Sequence, residues 1–205
     1  MKKRLAVNKD DDIVKLLIDV RKVLEKNNIF FFPIFGTLLG FVRDNGIISF
    51  DPDCDIGVLS NCIDDIVALK PEFEDLGYKC IKKNNKIKIA SSKIQKGGTP
   101  AFQHIDIFSF DIDDKYMFLT DKPKHRFLKK GFTDIKVYGV NFHIFKNYEE
   151  YLTMVYGKNW RTPDPNFAHT SRDFVRRKPN TINKIVNFVI KILKRVIDIL
   201  NDKFN

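Results

Sequence analysis

The chain has 205 residues, 43% of them hydrophobic: enough for one compact domain, or a domain with an appendage, and too few for two independent enzymatic domains. Ordinary glycine and proline counts (10 and 8) and a 13% aromatic content carried by 19 phenylalanines exclude a collagen-like or disordered chain. Lys and Arg total 36 against 26 Asp and Glu, a net charge of +10 that points to an anionic partner without choosing among nucleic acid, a membrane surface and a phosphorylated substrate.

The first predicted element is an amphipathic helix over 13–24, where Ile13, Leu16, Leu17, Val20, Val23 and Leu24 recur at spacings of three and four and Asn27-Asn28 closes the pattern. Residues 29–35 form an almost wholly apolar run that reads as a buried strand, with Pro33 at an edge or bulge. Gly36-Thr37 breaks that run, a short helix is expected over 38–43, and 47–59 alternates acidic and apolar residues as a strand does. A second helix is expected over 61–76, split by Pro71 and ended by Gly77. Residues 78–81 and 86–90 read as a hairpin around 82–85, 102–112 as a strand, and 116–119 as a further strand after the Asp113-Asp114 turn. Residues 122–130 are basic and irregular, 135–144 strand-like, and 148–156 a helix ending at Gly157. A long helix is expected over 182–200. The sum is an α+β (mixed α/β) domain over 1–170 with a basic helical extension over 171–205.

Cys54, Cys62 and Cys80 include no CxxC pair, so neither a disulfide scaffold nor a conventional zinc site is encoded and a reducing compartment fits. Residues 1–12 lack an apolar signal-peptide core, and no stretch approaches the roughly 18 apolar residues of a spanning helix. The expected location is cytoplasmic, soluble or peripheral to a membrane.

The acidic alternation carries the chemistry. Asp51, Asp53 and Asp55 stand at i, i+2 and i+4, and on a strand such residues share one face about 7 Å apart. At an effective dielectric near 20, each ionised pair repels by roughly 2–3 kcal/mol. A solvent-facing edge strand tolerates that row, but the flanking Ile47, Ile48, Phe50, Ile56, Val58 and Leu59 argue for burial, where unpaired carboxylates are costly. A divalent cation compensates them most directly, and Mg²⁺ bound by one or two carboxylates and phosphate oxygens is the usual arrangement in phosphoryl-transfer sites, with Mn²⁺ as the alternative. Upstream, Gly36 and Thr37 at a glycine turn before a helix offer backbone N–H groups and a hydroxyl to a phosphate, with Arg43 as a cation.

These segments resemble a known family. Gly36-Thr37-Leu38-Leu39-Gly40-x-x-Arg43 followed by Ile48-x-x-Asp51-x-Asp53-x-Asp55 resembles the signature of the LicD family, whose relatives include the fukutin-related proteins. His104-Ile105-Asp106-Ile107-Phe108 and Tyr151-Leu152-x-x-x-Tyr156-Gly157-x-x-Trp160-x-x-Pro163 resemble that family's later motifs in the same order, so the likeness covers about 13–165. Pro52, where the family often has an acid, and Phe50, where tryptophan is usual, depart from the pattern.

The resemblance implies a nucleotidyltransferase-like small mixed sheet flanked by helices. It also implies transfer of a phosphorylated small alcohol (phosphocholine, ribitol phosphate or glycerol phosphate) from a CDP-activated donor to a sugar hydroxyl of a glycan or glycolipid acceptor, with release of CMP; the alternatives are transfer of a nucleoside monophosphate from an NTP, or a non-catalytic membrane or glycan adaptor of the same fold. It assigns Asp53 and Asp55 to the metal, Asp106 as third carboxylate or base, Asp51 as a supporting acid, Gly36, Thr37 and Arg43 to phosphate, and Tyr156 and Trp160 to the substrate pocket. From spacing alone, Asp106 reads as a salt-bridged acid, and Tyr156, Gly157 and Trp160 as a helix end with an aromatic staple. His104 has either a structural role or one near the donor phosphate, and the four histidines lack metal-ligand spacing.

Residues 172–205 carry nine Lys and Arg against three Asp, so most of the basic excess is local. The 182–200 helix pairs a broad apolar face with a basic one, the pattern of a helix that lies on anionic lipid, packs on its own domain or self-associates. No Lys/Arg row with interleaved aromatics appears, so no nucleic-acid partner is expected.

Overall fold

The computed structural model describes residues 9–48, 51, 53–91, 103–123 and 126–163, with 9–11 as backbone alone. The expected extension over 171–205, with its 182–200 helix, lies outside the described residues.

Helix α1 (Lys9–Lys26) forms as its apolar spacing predicts. Ile13, Leu16, Leu17, Val20, Val23 and Leu24 are all buried, and each such side chain contributes roughly 1.5–3 kcal/mol of burial. Asn28 takes φ 57 and its N–H donates to Glu25 O, while the Asn27 side chain donates to Val23 O, so the asparagine pair does end the helix.

Strand β1 (Phe31–Pro33) is followed at once by α2 (Phe35–Arg43), then β2 (Asp53–Leu59). Two expectations are corrected here. The short helix begins three residues earlier than 38 and takes in Gly36 and Thr37, because Leu38 N–H already bonds to Ile34 O. The acidic strand begins at Asp53 rather than 47: Gly46 lies against Gly40, where Gly46 N–H donates to Gly40 O, so the chain leaving α2 turns before it can extend.

A 3-10 turn (Ser60–Cys62), α3 (Ile63–Ala68) and α4 (Lys70–Asp75) replace one longer helix, broken at Leu69 with Pro71 in the first turn of α4, as the proline predicts. Gly77 at φ 81 closes α4. The hairpin of β3 (Tyr78–Lys83) and β4 (Lys86–Ser91) turns on Asn84 and Asn85 alone, so β3 runs two residues and β4 one residue further than the sequence suggests. Strand β5 (His104–Ile112) and β6 (Tyr116–Leu119) are close to expectation. The basic stretch 122–130 is not wholly irregular: it holds β7 (Arg126–Leu128), which pairs with β6. The region read as one strand over 135–144 is a hairpin, β8 (Phe132–Val137) and β9 (Val140–Phe145), turning on Tyr138 and Gly139, both at positive φ as a two-residue hairpin favours. Helix α5 (Tyr148–Tyr156) ends at Gly157, φ 86.

Seven strands form one mixed sheet of order β1-β2-β5-β4-β3, with β6 on β5 and β7 on β6; β8 and β9 form a separate pair. Only β2 and β5 run parallel, and β1 sits at the edge, which accommodates Pro33. Alternation gives the sheet two unlike faces. Cys54, Ile56, Val58, Ile87, Ile89, Ile105 and Ile107 are fully buried on one, and α1 lies against β2 and β5.

The other face is divided. At its aromatic end Phe32 lies across Gly57, where an added Cβ would sit 2.3 Å from the ring, and packs on Phe110, Phe132 and Phe145 with centroids 5.0–5.3 Å apart. At its polar end stand Asp53, Asp55, His104 and Asp106. Among the described residues no helix is long and apolar enough to cross a membrane.

Candidate active site

The parallel register sets Asp53 beside His104 and Asp55 beside Asp106, so four polar side chains from segments distant in sequence share one patch. Asp53, His104 and Asp106 each offer a ligand atom, all within 4.8 Å of one another. His104 Nε2 is 3.4 Å from Asp53 Oδ2 and 3.6 Å from Asp106 Oδ2. On the far side of β5 the antiparallel register brings in Lys86 and Lys88. Lys86 Nζ bonds to Asp106 Oδ2, and Lys88 Nζ lies 3.8 Å from Oδ1.

The β1–α2 connection clamps Asp55. Its carbonyl accepts from Ile34 N–H at 3.0 Å, and its N–H donates to Thr37 Oγ1 at 2.7 Å. Between them Phe35 holds φ 44, a costly conformation for a bulky residue, stabilised by packing of its ring on Phe108. Thr37 is buried, and Gly36 faces Asp51: a Cβ there would stand 3.0 Å from Asp51 Oδ2. Asp51 therefore lies over the start of α2, off the end of β2, rather than third in a straight row.

The carboxylates are electrostatically unequal. Burial, reinforced by Asp53 and Asp106, pushes Asp55 up to about 8, and burial with the neighbouring Asp53 carboxyl pushes Asp51 up to about 7. Asp53 is held below the usual carboxylate range, first by its hydrogen bond with His104. Burial acts to raise Asp106, but hydrogen bonds with His104 and Lys86 outweigh it and keep Asp106 low. Negative charge is thus only partly compensated, and the buried Asp106 Oδ1 has no hydrogen-bond partner among the described residues. An oxygen-rich donor set with an open buried oxygen fits a divalent cation.

The remaining sequence candidates lie around this patch. Tyr156, at the end of α5, has its phenol raised by burial and by the fields of Asp55 and Asp51, so it lies within electrostatic reach of the acids. Arg43 closes its fork on Asp44 (2.8 and 2.7 Å), with Tyr156 within electrostatic reach. Trp160 is a core residue stacked under the Arg161 guanidinium at 4.2 Å. The place of His104 in the candidate ligand group was missed because histidine spacing along the chain says nothing about residues brought together across strands; its i, i+2 relation to Asp106 was the available signal. Lys86 and Lys88 were also missed, since only the β4–β5 register brings them to the site.

Comparison with known proteins decides the family. The family described as LicD/FKTN/FKRP, nucleotidyltransferase domain, matches residues 28–136. The chain belongs to the LicD family. It is 33% identical over 147 residues to an uncharacterized protein of Rickettsia typhi (66% of this chain, 44% of the relative). It is 42% identical over 77 residues to an uncharacterized protein of Rickettsia prowazekii (38% and 29%). The matches span less than half the length of either relative. Among solved structures, the antibiotic-resistance factor ANT(2'')-Ia is similar with TM-score 0.50 and 10% identity, over 92% of this chain and 96% of that one, a likeness of fold. The matched LicD segment ends within β8; Asp51, Asp53, Asp55, His104 and Asp106 all lie inside it.

Proposed function

We infer that this LicD-family chain is a transferase that moves a phosphorylated small alcohol, such as phosphocholine, ribitol phosphate or glycerol phosphate, from a CDP-activated donor to a sugar hydroxyl of a glycan or glycolipid acceptor, with Mg²⁺ as cofactor. The observation that carries this reading is the convergence of Asp53, His104 and Asp106 on one sheet face within a LicD domain.

Asp53 and His104 would hold the cation, with Asp106 as third ligand or as base and Asp55 alongside. When bound, the cation supplies Lewis-acid polarisation and charge neutralisation at the donor diphosphate. Gly36 and Thr37 at the start of α2 position phosphate, and Tyr156 walls the acids on the side of α5. The acceptor hydroxyl oxygen bonds to the β-phosphorus, the bond from that phosphorus to the bridging oxygen breaks, and CMP leaves with the bridging oxygen and the electron pair. The hydroxyl proton passes to a carboxylate of this face. Asp106, with its open Oδ1, either takes that proton or completes the ligand set.

The nucleotidyltransferase description of the matched domain favours a second reading, attack at the α-phosphorus of a nucleoside triphosphate with release of pyrophosphate. Incubating the protein with Mg²⁺, an acceptor sugar, CTP and the CDP-alcohols separates the two by product: CMP for the first, pyrophosphate for the second. Asp53→Asn is expected to lower turnover at least about 100-fold with the fold intact by circular dichroism. Undiminished CMP release by this variant overturns the site assignment.

A further inference from the structure

We propose that Lys86 and Lys88 bind the diphosphate of the substrate, as a pair of cations built into β4 beside the carboxylate cluster. The proposal rests on the phosphotransfer reading above and adds the residues that hold the anion.

The sheet register is the first support. Lys88 pairs with Asp106, which pairs with Asp55, and Lys86 pairs with Phe108, which pairs with Gly57. All six positions fall on one face, so both lysines project on the side of the sheet that carries the ligand group. Ile87 and Ile89, the alternate residues of β4, are fully buried on the opposite face, which fixes the register against slippage.

Contacts within the patch are the second. The Lys86 ammonium stands 4.2 Å from the centroid of the Phe108 ring and touches Asp106 Oδ2, so a cation–π contact and an ion pair together hold the charged head in place. Lys88 Nζ, 3.8 Å from Asp106 Oδ1, is within Coulombic range but beyond hydrogen-bond distance. The two side chains are 38% and 43% exposed while Asp106 is 7% exposed, so the cations stand between the buried acid and solvent, where an incoming anion meets them first.

Charge supplies the third. Four acids, Asp51, Asp53, Asp55 and Asp106, occupy the patch, and a nucleoside diphosphate adds two or more negative charges. A single divalent ion cannot balance both. A cation ligated by Asp106 would take over carboxylate charge that Lys86 now shares with His104 and Lys88, which would leave the ammonium groups free to meet phosphate oxygens arriving at the same place. A purely structural ion pair does not account for the second lysine, which makes no hydrogen bond to the acid.

The test uses the full chain and calorimetric titration with CDP, inorganic pyrophosphate and cytidine at saturating Mg²⁺, and with Mn²⁺ alone. Lys86→Gln, which keeps much of the stem over Phe108, is expected to weaken CDP and pyrophosphate by about 10- to 100-fold, and Lys88→Gln by about 10-fold. Lys86→Arg is expected to restore binding to within about threefold. Mn²⁺ affinity should be unchanged or higher in Lys86→Gln, since an ammonium that competes for Asp106 is gone; an ion pair with only a structural role predicts no selective loss of diphosphate.

CDP binding that is indifferent to both lysines overturns the proposal and leaves the phosphotransfer reading intact. Lysine-dependent binding of pyrophosphate without CDP binding upholds the lysine pair and overturns the cytidine donor. Failure of the wild-type chain to bind either overturns both.

Discussion

Asp55→Asn is expected to make the metal-free protein more stable, although it removes a residue placed at the heart of the site. The Asp55 carboxyl titrates at about 8 in the folded chain against an ordinary 3.8, first because it is buried and then because Asp53 and Asp106 stand beside it. Across that interval the folded state binds more protons than the unfolded state, so stability declines as pH rises. The protonated carboxyl contributes fully below about pH 4, and the contribution is lost by about pH 8. Each unit costs about 1.4 kcal/mol, so the limit by pH 7 is roughly 4 kcal/mol. Structural relaxation and mutual adjustment of the neighbouring acids leave about 2 kcal/mol as the expected gain for the asparagine variant, about 4–8 °C in Tm for a chain of this size. An asparagine amide also donates to Asp53 or Asp106, which an ionised Asp55 cannot do. Thermal melts in a chelating agent from about pH 5 to pH 9 check this: the advantage of the variant should widen up to about pH 8 and then level off. Adding Mg²⁺ should raise the wild type more than the variant and narrow or reverse the gap. A variant no more stable than wild type in chelator, or a gap independent of pH, would refute the charge frustration inferred for this face.

The backbone approach at Gly40 gives a separate expectation. An added Cβ would lie 2.5 Å from Gly46 O and 3.0 Å from Ile48 N, so Gly40→Ala should destabilise by about 2–4 kcal/mol in urea unfolding, and a loss below about 1 kcal/mol contradicts that packing. At the cluster, His104→Ala should weaken Mn²⁺ binding about 10- to 100-fold by paramagnetic resonance whether the imidazole ligates directly or orders Asp53 and Asp106; equal affinity removes His104 from the site.

Much of the site was legible because strand parity is encoded locally. The alternation through Asp53, Cys54, Asp55 and Ile56 separates an acidic face from a core face with no knowledge of the partner strand, and the structure keeps Cys54 fully buried on the far side. What chain-local patterns do not carry is pairing. The adjacency of Asp53 to His104, and of Asp106 to both Asp55 and Lys88, follows from a parallel register on one side of β5 and an antiparallel one on the other. Asp51 was misplaced for a related reason: its spacing from Asp53 continues the alternation, yet the close contact of Gly40 with Gly46 bends the chain so that β2 begins only at Asp53. The error in the β8–β9 region comes from turn chemistry and the one at β7 from strand length. Tyr138 at φ 53 makes a tight turn from a residue that ordinarily signals strand, and three-residue β7 is too short for a periodicity to register.

The parallel junction of β2 with β5 also sets an order of assembly. Asp53 and His104 are about fifty residues apart in the chain, so joining the two strands closes a long loop that holds helices and a hairpin. A nascent chain that has not yet reached His104 and Asp106 holds only one member of the Asp53, His104 and Asp106 group, so the cation cannot act as a template for the early stages of folding on the ribosome. Metal uptake during refolding should report completion of the β2–β5 junction rather than collapse of α1 onto the first strands.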